Sequence, residues 1–297
     1  MRPTFSIILF TVLSGIGYGL WFLIGIGLLL LWPESYREGG LVLDRWPCLL
    51  HYGLVTGFVL VSSGLISSLG HLGKPGRAWR AFSHWRSSWL SREGVAAVLT
   101  YVPVAGFAMV AIHDSWLIRE ARLGDGAMPA SWSEGSVVYV LGALLVVGSL
   151  LTVFCTANIY ACLKPVRAWN NRYVPVGYLM LAVHGGGLCA WALTTLPHAQ
   201  LLALRFLLAE VALTAIATAF LKWHYWRFID RDSTLTTGDA TGLRPFGTVR
   251  SFEQPHTEEN YLTHEMGFLI ARKHSRKLQR IALVAGFIVP AVCAMLA

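Results

Sequence analysis

Apolar residues run in long blocks along this chain, and polar residues gather between them. The blocks fall at 5–32, 48–70, 93–112, 136–161, 174–195, 199–222 and 280–297. A helix rises about 1.5 Å per residue, so about 20 apolar residues cross a hydrocarbon layer of roughly 30 Å. The pattern predicts an all-α fold, a polytopic transmembrane bundle of about seven spans. It reads as a single integral membrane domain over 1–297, with 226–279 as a polar loop and surface helix within it. The first block is too long for the apolar part of a cleavable signal and reads as the first span. The last is barely long enough to cross. Either the protein stops in the far interface or a further C-terminal segment is missing.

Composition agrees: 13% of residues are charged, against about 25% in a soluble domain. The net charge of +8 comes from cations that flank the apolar blocks, where they meet lipid headgroups, and no soluble basic face for nucleic acid can be drawn. Nineteen Lys and Arg fall on the side of Arg2 and five on the other, and 9 against 5 remain without the ten from Lys222 to Arg280 that bound and fill the long last loop. By the positive-inside rule the N-terminus and the 71–92, 162–173 and 223–280 connections face the cytoplasm of a bacterial-type inner membrane. Trp79, Trp85, Trp89, Trp169, Tyr173, Trp223, Tyr225 and Trp226 mark that interface as an aromatic belt. The five cysteines form no C-x-x-C pair. With neither zinc nor iron–sulfur spacing, no metal site is expected.

The sequence holds an internal echo. Lys74-Pro75-Gly76-Arg77-Ala78-Trp79 returns as Lys164-Pro165-Val166-Arg167-Ala168-Trp169, each copy following a span on the same side. A duplicated helical hairpin would produce this. So would the ordinary preference for a cation, a proline and a tryptophan where a helix leaves lipid.

The copies differ where chemistry could lie. Three residues before the lysine stands His71 in the first and Ala161 in the second, so the shared scaffold does not require histidine. His71 lies between Gly70 and Gly73, at headgroup depth. There it either simply hydrates or offers a titratable partner to a quinone carbonyl. Glu93 follows Ser91, a candidate N-cap for the third span. It is either an ordinary first-turn acid or a proton acceptor and donor at the membrane edge. Arg77, Arg80 and Arg92 could hold it ionised, or could meet phospholipid phosphates.

Other polar residues inside spans are fewer. His184 lies in the fifth span, and His51, His113 and His198 lie towards the far face. No pair has a diagnostic spacing for the two axial ligands of a b-type haem, so none is expected. Glu210 is the one acid well inside a span. It is a functional candidate by default, or else the partner of Arg205 or of a hydroxyl. Residues 257–277 begin acidic and end basic, as a capped helix prefers. They predict a surface helix free to meet a soluble partner, with Glu258, Glu259, Tyr261 and Glu265 as docking residues.

At His71-Leu-Gly-Lys74-Pro75, Arg77-Ala-Trp79-Arg80-Ala and Ser88-Trp89-Leu90-Ser91-Arg92-Glu93 the protein resembles the membrane anchor subunit of the dimethyl sulfoxide reductase family. Such anchors are polytopic helical proteins, usually of eight spans and without haem. The resemblance implies partners, an iron–sulfur subunit and a molybdenum catalytic subunit, which hold the iron–sulfur clusters and the molybdenum cofactor. It also implies electron exchange with ubiquinone or menaquinone, and gives His71 and Glu93 the proton-exchanging roles of the quinone site, with Lys74, Arg77 and Arg80 around them. A narrower resemblance covers Cys155 to Pro165 together with Glu258, Glu259, Asn260, Tyr261, Glu265 to Phe268 and Ala271 to His274. These are similar to the anchor of sulfite-oxidising quinone reductases, which makes sulfite the expected electron source and sulfoxide reduction the alternative. The protein would then be the non-molybdenum subunit of a quinone-dependent oxidoreductase. A small-solute transporter is the rival from another class, permitted by the repeat, by Glu210 and by the glycine-rich spans. A polar cluster at one membrane edge, away from the midplane, favours the anchor.

Overall fold

The computed structural model describes residues 5–37, 46–70, 74–123, 136–164, 166–194, 201–230, 238, 241–250 and 273–297. Side chains are described for 5–30, 50–70, 74–113, 136–164, 166–194, 204–230, 238, 241–250 and 273–297. All regular structure among them is helical. The long helices are α1 (Phe5–Arg37), α2 (Trp46–Leu69), α3 (Trp89–Leu123), α4 (Val137–Ala161), α5 (Tyr173–Thr194), α6 (Leu201–Asp230) and α7 (Ser275–Leu296). Seven are long and apolar enough to cross a membrane, and the protein is a multi-pass membrane protein. Large apolar side chains face outward along them, such as Leu213, Ile216 and Phe220 on α6. This is what a surface bathed in lipid rather than water calls for.

Helix α1 is the hub and packs on α2, α4 and α5. Helix α3 lies on α4, α5 on α6, and α6 on α7. Lipid tails are as apolar as leucine, so association in a bilayer depends on close packing and on hydrogen bonds between helices. Both are present. A Cβ on Gly19 would overlap the backbone of Ala182, and one on Gly186 would overlap Gly19, so α1 and α5 touch main chain to main chain. Gly57 leaves room for the Trp21 indole, which is fully buried and donates from Nε1 to Leu54 O at 3.2 Å. Between α2 and α3, the Ser62 and Tyr101 hydroxyls meet at 2.8 Å.

Helix α7 contains one π-helical turn, Val284–Ile288. Pro290 follows it and has no N–H to give to Gly286 O, four residues back, so that carbonyl loses its α-helical partner. The His184 imidazole of α5 supplies the replacement, with Nε2 3.0 Å from Gly286 O.

The echo segments end α2 and α4 at the same end of the bundle. The first continues into a 3-10 helix, Pro75–Phe82, packed on α3. The second is tied to α6: Tyr225 donates to Ala168 O at 2.9 Å, and Arg167 Nη2 to Phe228 O at 3.2 Å. Helix α3 starts at Trp89, two residues before the expected cap. Ser88 therefore occupies the capping position. Ser91 lies buried in the first turn, and Glu93 comes a turn deeper than the sequence pattern places it.

Candidate functional site

The start of α1, the end of α2, the start of α3, the end of α4, the start of α5 and the end of α6 converge at one edge of the bundle. Contacts there cross between helices. Ser67 of α2 donates to Ser6 O of α1 at 3.0 Å, and Glu93 of α3 meets Thr156 of α4.

Glu93 is 5% exposed. Its depth follows from an antiparallel register between α3 and α4. Thr156 stands opposite Glu93, with Oγ1 to Oε1 at 2.5 Å, and Thr152, one turn earlier, meets Thr100, with hydroxyls 3.3 Å apart. Gly148, a further turn back, keeps room for Thr100. The polar face Gly148, Thr152, Thr156 thus runs along α4 at helical spacing and receives the carboxyl at its end.

The Thr156 hydroxyl has one hydrogen and two acceptors around it, Glu93 Oε1 and Thr152 O at 3.0 Å. If it donates to the carboxylate, Glu93 is held bare. If it donates to the carbonyl, the contact persists when Glu93 bears its own proton and donates it to Oγ1. The same pair accommodates both protonation states by turning one O–H. That suits a group that must gain and lose a proton without rearranging the backbone.

The expected arginine support for Glu93 is corrected by this geometry. Arg92 directs Nε to Trp85 O at 3.0 Å and Nη2 to Arg86 O at 2.6 Å, with its guanidinium 4.4 Å from the centre of the Trp89 ring. It closes the 83–88 turn. Lys74, Arg77 and Arg80 are exposed, and Arg80 lies over Trp79 at 5.6 Å. None of them reaches into the α3–α4 seam; the threonine does the holding. His71 and the docking residues Glu258, Glu259, Tyr261 and Glu265 lie outside the described residues.

Beside this seam a cavity of about 420 Å³ opens between α1, α4, α5 and α6. Its wall includes Tyr160, Trp169, Tyr178, Lys222 and Tyr225. Tyr160 is one turn beyond Thr156 on α4, and Tyr178 of α5 stacks on it with ring centres 5.9 Å apart. From sequence, Trp169 and Tyr225 read as interface anchors, Thr156 and Tyr160 enter only as part of the Cys155 to Pro165 resemblance, and Lys222 does not stand out. The signal for Thr156 is its four-residue spacing from Thr152.

Further into the bundle, His184 has both ring nitrogens engaged, Nδ1 with Thr214 Oγ1 at 3.0 Å and Nε2 with Gly286 O. A carbonyl only accepts, so Nε2 bears the hydrogen. Both carboxyl oxygens of Glu210 are buried against Gly187 without a hydrogen bond of full geometry, although Thr214 is one turn along. Arg205 is exposed. Among the described residues, no group of three or more His, Cys, Asp or Glu is placed to hold a metal ion.

A multi-pass helical bundle with a buried, hydrogen-bonded acid at one edge is thus the class of protein that fold and site define. The protein belongs to the DMSO reductase anchor subunit (DmsC) family, whose model matches residues 1–225. It is a membrane anchor subunit of a DMSO-reductase-family oxidoreductase complex. It is 29% identical over 293 residues to the C component of the sulfite dehydrogenase of Allochromatium vinosum, an overlap of 98% of this sequence and 85% of that one. It is 27% identical to the C component of the anaerobic dimethyl sulfoxide reductase of Escherichia coli, over 50% of this sequence and 49% of that one. For the same component of the Haemophilus influenzae enzyme the identity is 30%, over 51% and 47%. No solved structure matches the protein.

Proposed function

We propose that this anchor exchanges electrons between soluble iron–sulfur and molybdenum subunits and the membrane quinone pool, with sulfite as the electron source. The observation that carries the quinone reading is the Glu93–Thr156 pair. A buried carboxyl at the bundle edge, able to hold or release a proton by turning one hydroxyl, fits a reaction that moves protons together with electrons. Each sulfite oxidised to sulfate with water yields two electrons and two protons. Each quinone reduced takes up two electrons and two protons. The anchor's own part is to place the quinone and pass protons at Glu93 and His71; the sulfur chemistry belongs to the partners.

Sulfite is favoured over a sulfoxide because the likeness to the sulfite dehydrogenase component spans nearly the whole sequence, whereas the likeness to the dimethyl sulfoxide reductase components spans half. The excess of Lys and Arg at the edge holding Glu93 supports a bacterial inner-membrane location with that edge cytoplasmic. In this reading the 71–92 connection and the 226–279 segment form the docking face of a single membrane domain. The test is turnover by the purified complex. Sulfite-dependent reduction of ubiquinone or menaquinone analogues is expected. Quinol-dependent reduction of dimethyl sulfoxide without sulfite oxidation would replace the substrate assignment, and absence of any quinone reaction would overturn the reading.

A further inference from the structure

The cavity beside the α3–α4 seam has an unusual lining. It is walled by five aromatic rings, and the lone cation among them is Lys222. The ammonium lies 5.1 Å from the centre of the Tyr225 ring and 5.8 Å from that of Trp226. Lys222 is half-buried, and no carboxylate pairs with it among the described residues. An ammonium set against ring faces, with no acceptor for it among the described residues, leaves that place to a ligand. Three further features bear on what that ligand would be.

First, Tyr160 and Tyr178 stack at 5.9 Å with their planes 27° apart, so α4 and α5 offer a pair of nearly parallel rings beside which a further planar group can lie. Second, Gly177 lines the space, and a Cβ there would meet nothing within 4 Å, so the cavity floor is bare backbone that a planar group can approach. Third, the α1 side of the cavity is mostly aliphatic, with Ile7, Ile8 and Val12 beside Thr11, which suits a hydrocarbon tail. A phosphate headgroup would call for several cations or N–H donors. The nearby Arg167 is bonded to Phe228 O and Arg172 lies over the Tyr173 ring at 5.8 Å, so Lys222 is the one cation in the lining itself. One cation, aromatic walls and a largely aliphatic flank match a planar ring with a carbonyl oxygen and an isoprenoid tail.

We infer that this cavity holds the quinone ring, with Lys222 donating to one carbonyl oxygen and Tyr160 standing between the ring and the Glu93–Thr156 pair. The inference rests on the quinone reading of the preceding section and adds to it a binding chamber on α4, α5 and α6, with Lys222 as the residue that orients the ring. Proton exchange stays with Glu93 and His71. The cavity wall supplies position.

The test uses the intact complex and a short-tailed ubiquinone or menaquinone analogue, with rates expressed per assembled complex. Lys222→Met should raise KM for the analogue about 10–100-fold, as loss of a hydrogen bond from a charged donor predicts, with a smaller change in kcat. Lys222→Arg should recover part of it. Gly177→Leu projects a side chain into the open space and should abolish quinone turnover in a complex that still assembles. An azido-quinone should label 160–178 or 222–225, and Gly177→Leu should prevent that labelling. Wild-type KM in both variants would overturn the inference while leaving the quinone reading intact, and so would labelling confined to 71–93. Stoichiometric anionic phospholipid that is retained through delipidation and lost in Lys222→Met, with quinone KM unmoved, would reassign the cavity to lipid. A wild-type complex without quinone turnover would instead sink the underlying reading.

Discussion

Replacing Thr156 with valine removes the one hydroxyl that holds Glu93 and nearly preserves volume. Glu93 is 5% exposed and Thr156 is its hydrogen-bond partner, so Oε1 would be left buried and unpaired. Leaving a buried polar group without a partner costs about 1–3 kcal/mol. At about 1.4 kcal/mol per tenfold, that is a factor of roughly 5–150. If Glu93 exchanges protons with quinone, quinone turnover should fall by a factor in that range. Electron transfer from the soluble subunits to an artificial dye should continue, because it does not pass through this helix pair. Thr156→Ser restores the hydroxyl and should restore most of the rate. The assay is parallel quinone and dye turnover on the same preparation, with the yield of assembled complex as control. Equal loss of both activities would mean that Thr156 is simply structural. Full quinone turnover in Thr156→Val beside a dead Glu93→Gln would refute the role of the hydroxyl and leave that of the acid.

Four further outcomes are expected. His71→Ala should cut quinone turnover by roughly 10²–10⁴ with assembly nearly intact, since Ala161 fills the matching place in the second echo segment; full turnover would remove it from the site. Gly186→Val should destabilise the bundle by about 1–3 kcal/mol or more, read as a lower melting temperature in detergent, because α1 and α5 meet there through backbone; an unchanged melting point would contradict the close approach. His184→Ala loses two hydrogen bonds, worth together about 1–3 kcal/mol, and should expose α7 to protease before the rest of the bundle. Adding the soluble subunits should protect the 71–92 connection and the 226–279 segment from proteolysis; equal cleavage with and without them would place the docking face elsewhere.

Much of the fold is legible in the sequence because bilayer thickness imposes a length on every span. The apolar blocks at 136–161 and 174–195 match α4 and α5 to within a residue or so. The start of α3 is harder to place because Ser91 resembles a cap as well as Ser88 does, and only packing against α4 decides between them. Glu93 is readable as a candidate from its position and its motif. Its partner is not, because arginines nearby in sequence look better matched to an acid than a threonine 63 residues away. Lys222 is hidden for a similar reason. A cation at a helix end reads as a lipid anchor until the rings around it are seen together. The Pro290–Gly286 pair does give a local signal, a proline four residues after a glycine within a span, but nothing local points to His184 as the replacement donor.

The position of α1 at the hub has a consequence for biogenesis. As the protein is made, α1 emerges ahead of α2, α4 and α5, so each of those helices finds its partner already in the bilayer when it is released. Helices α6 and α7 have no such partner in α1. They join through α5 and through each other, with the histidine–glycine link tying α7 to α5. For the helices that pack on α1, insertion order and packing order therefore coincide, and a defect at Gly19 or Gly186 would act early, while the later helices are still entering the bilayer.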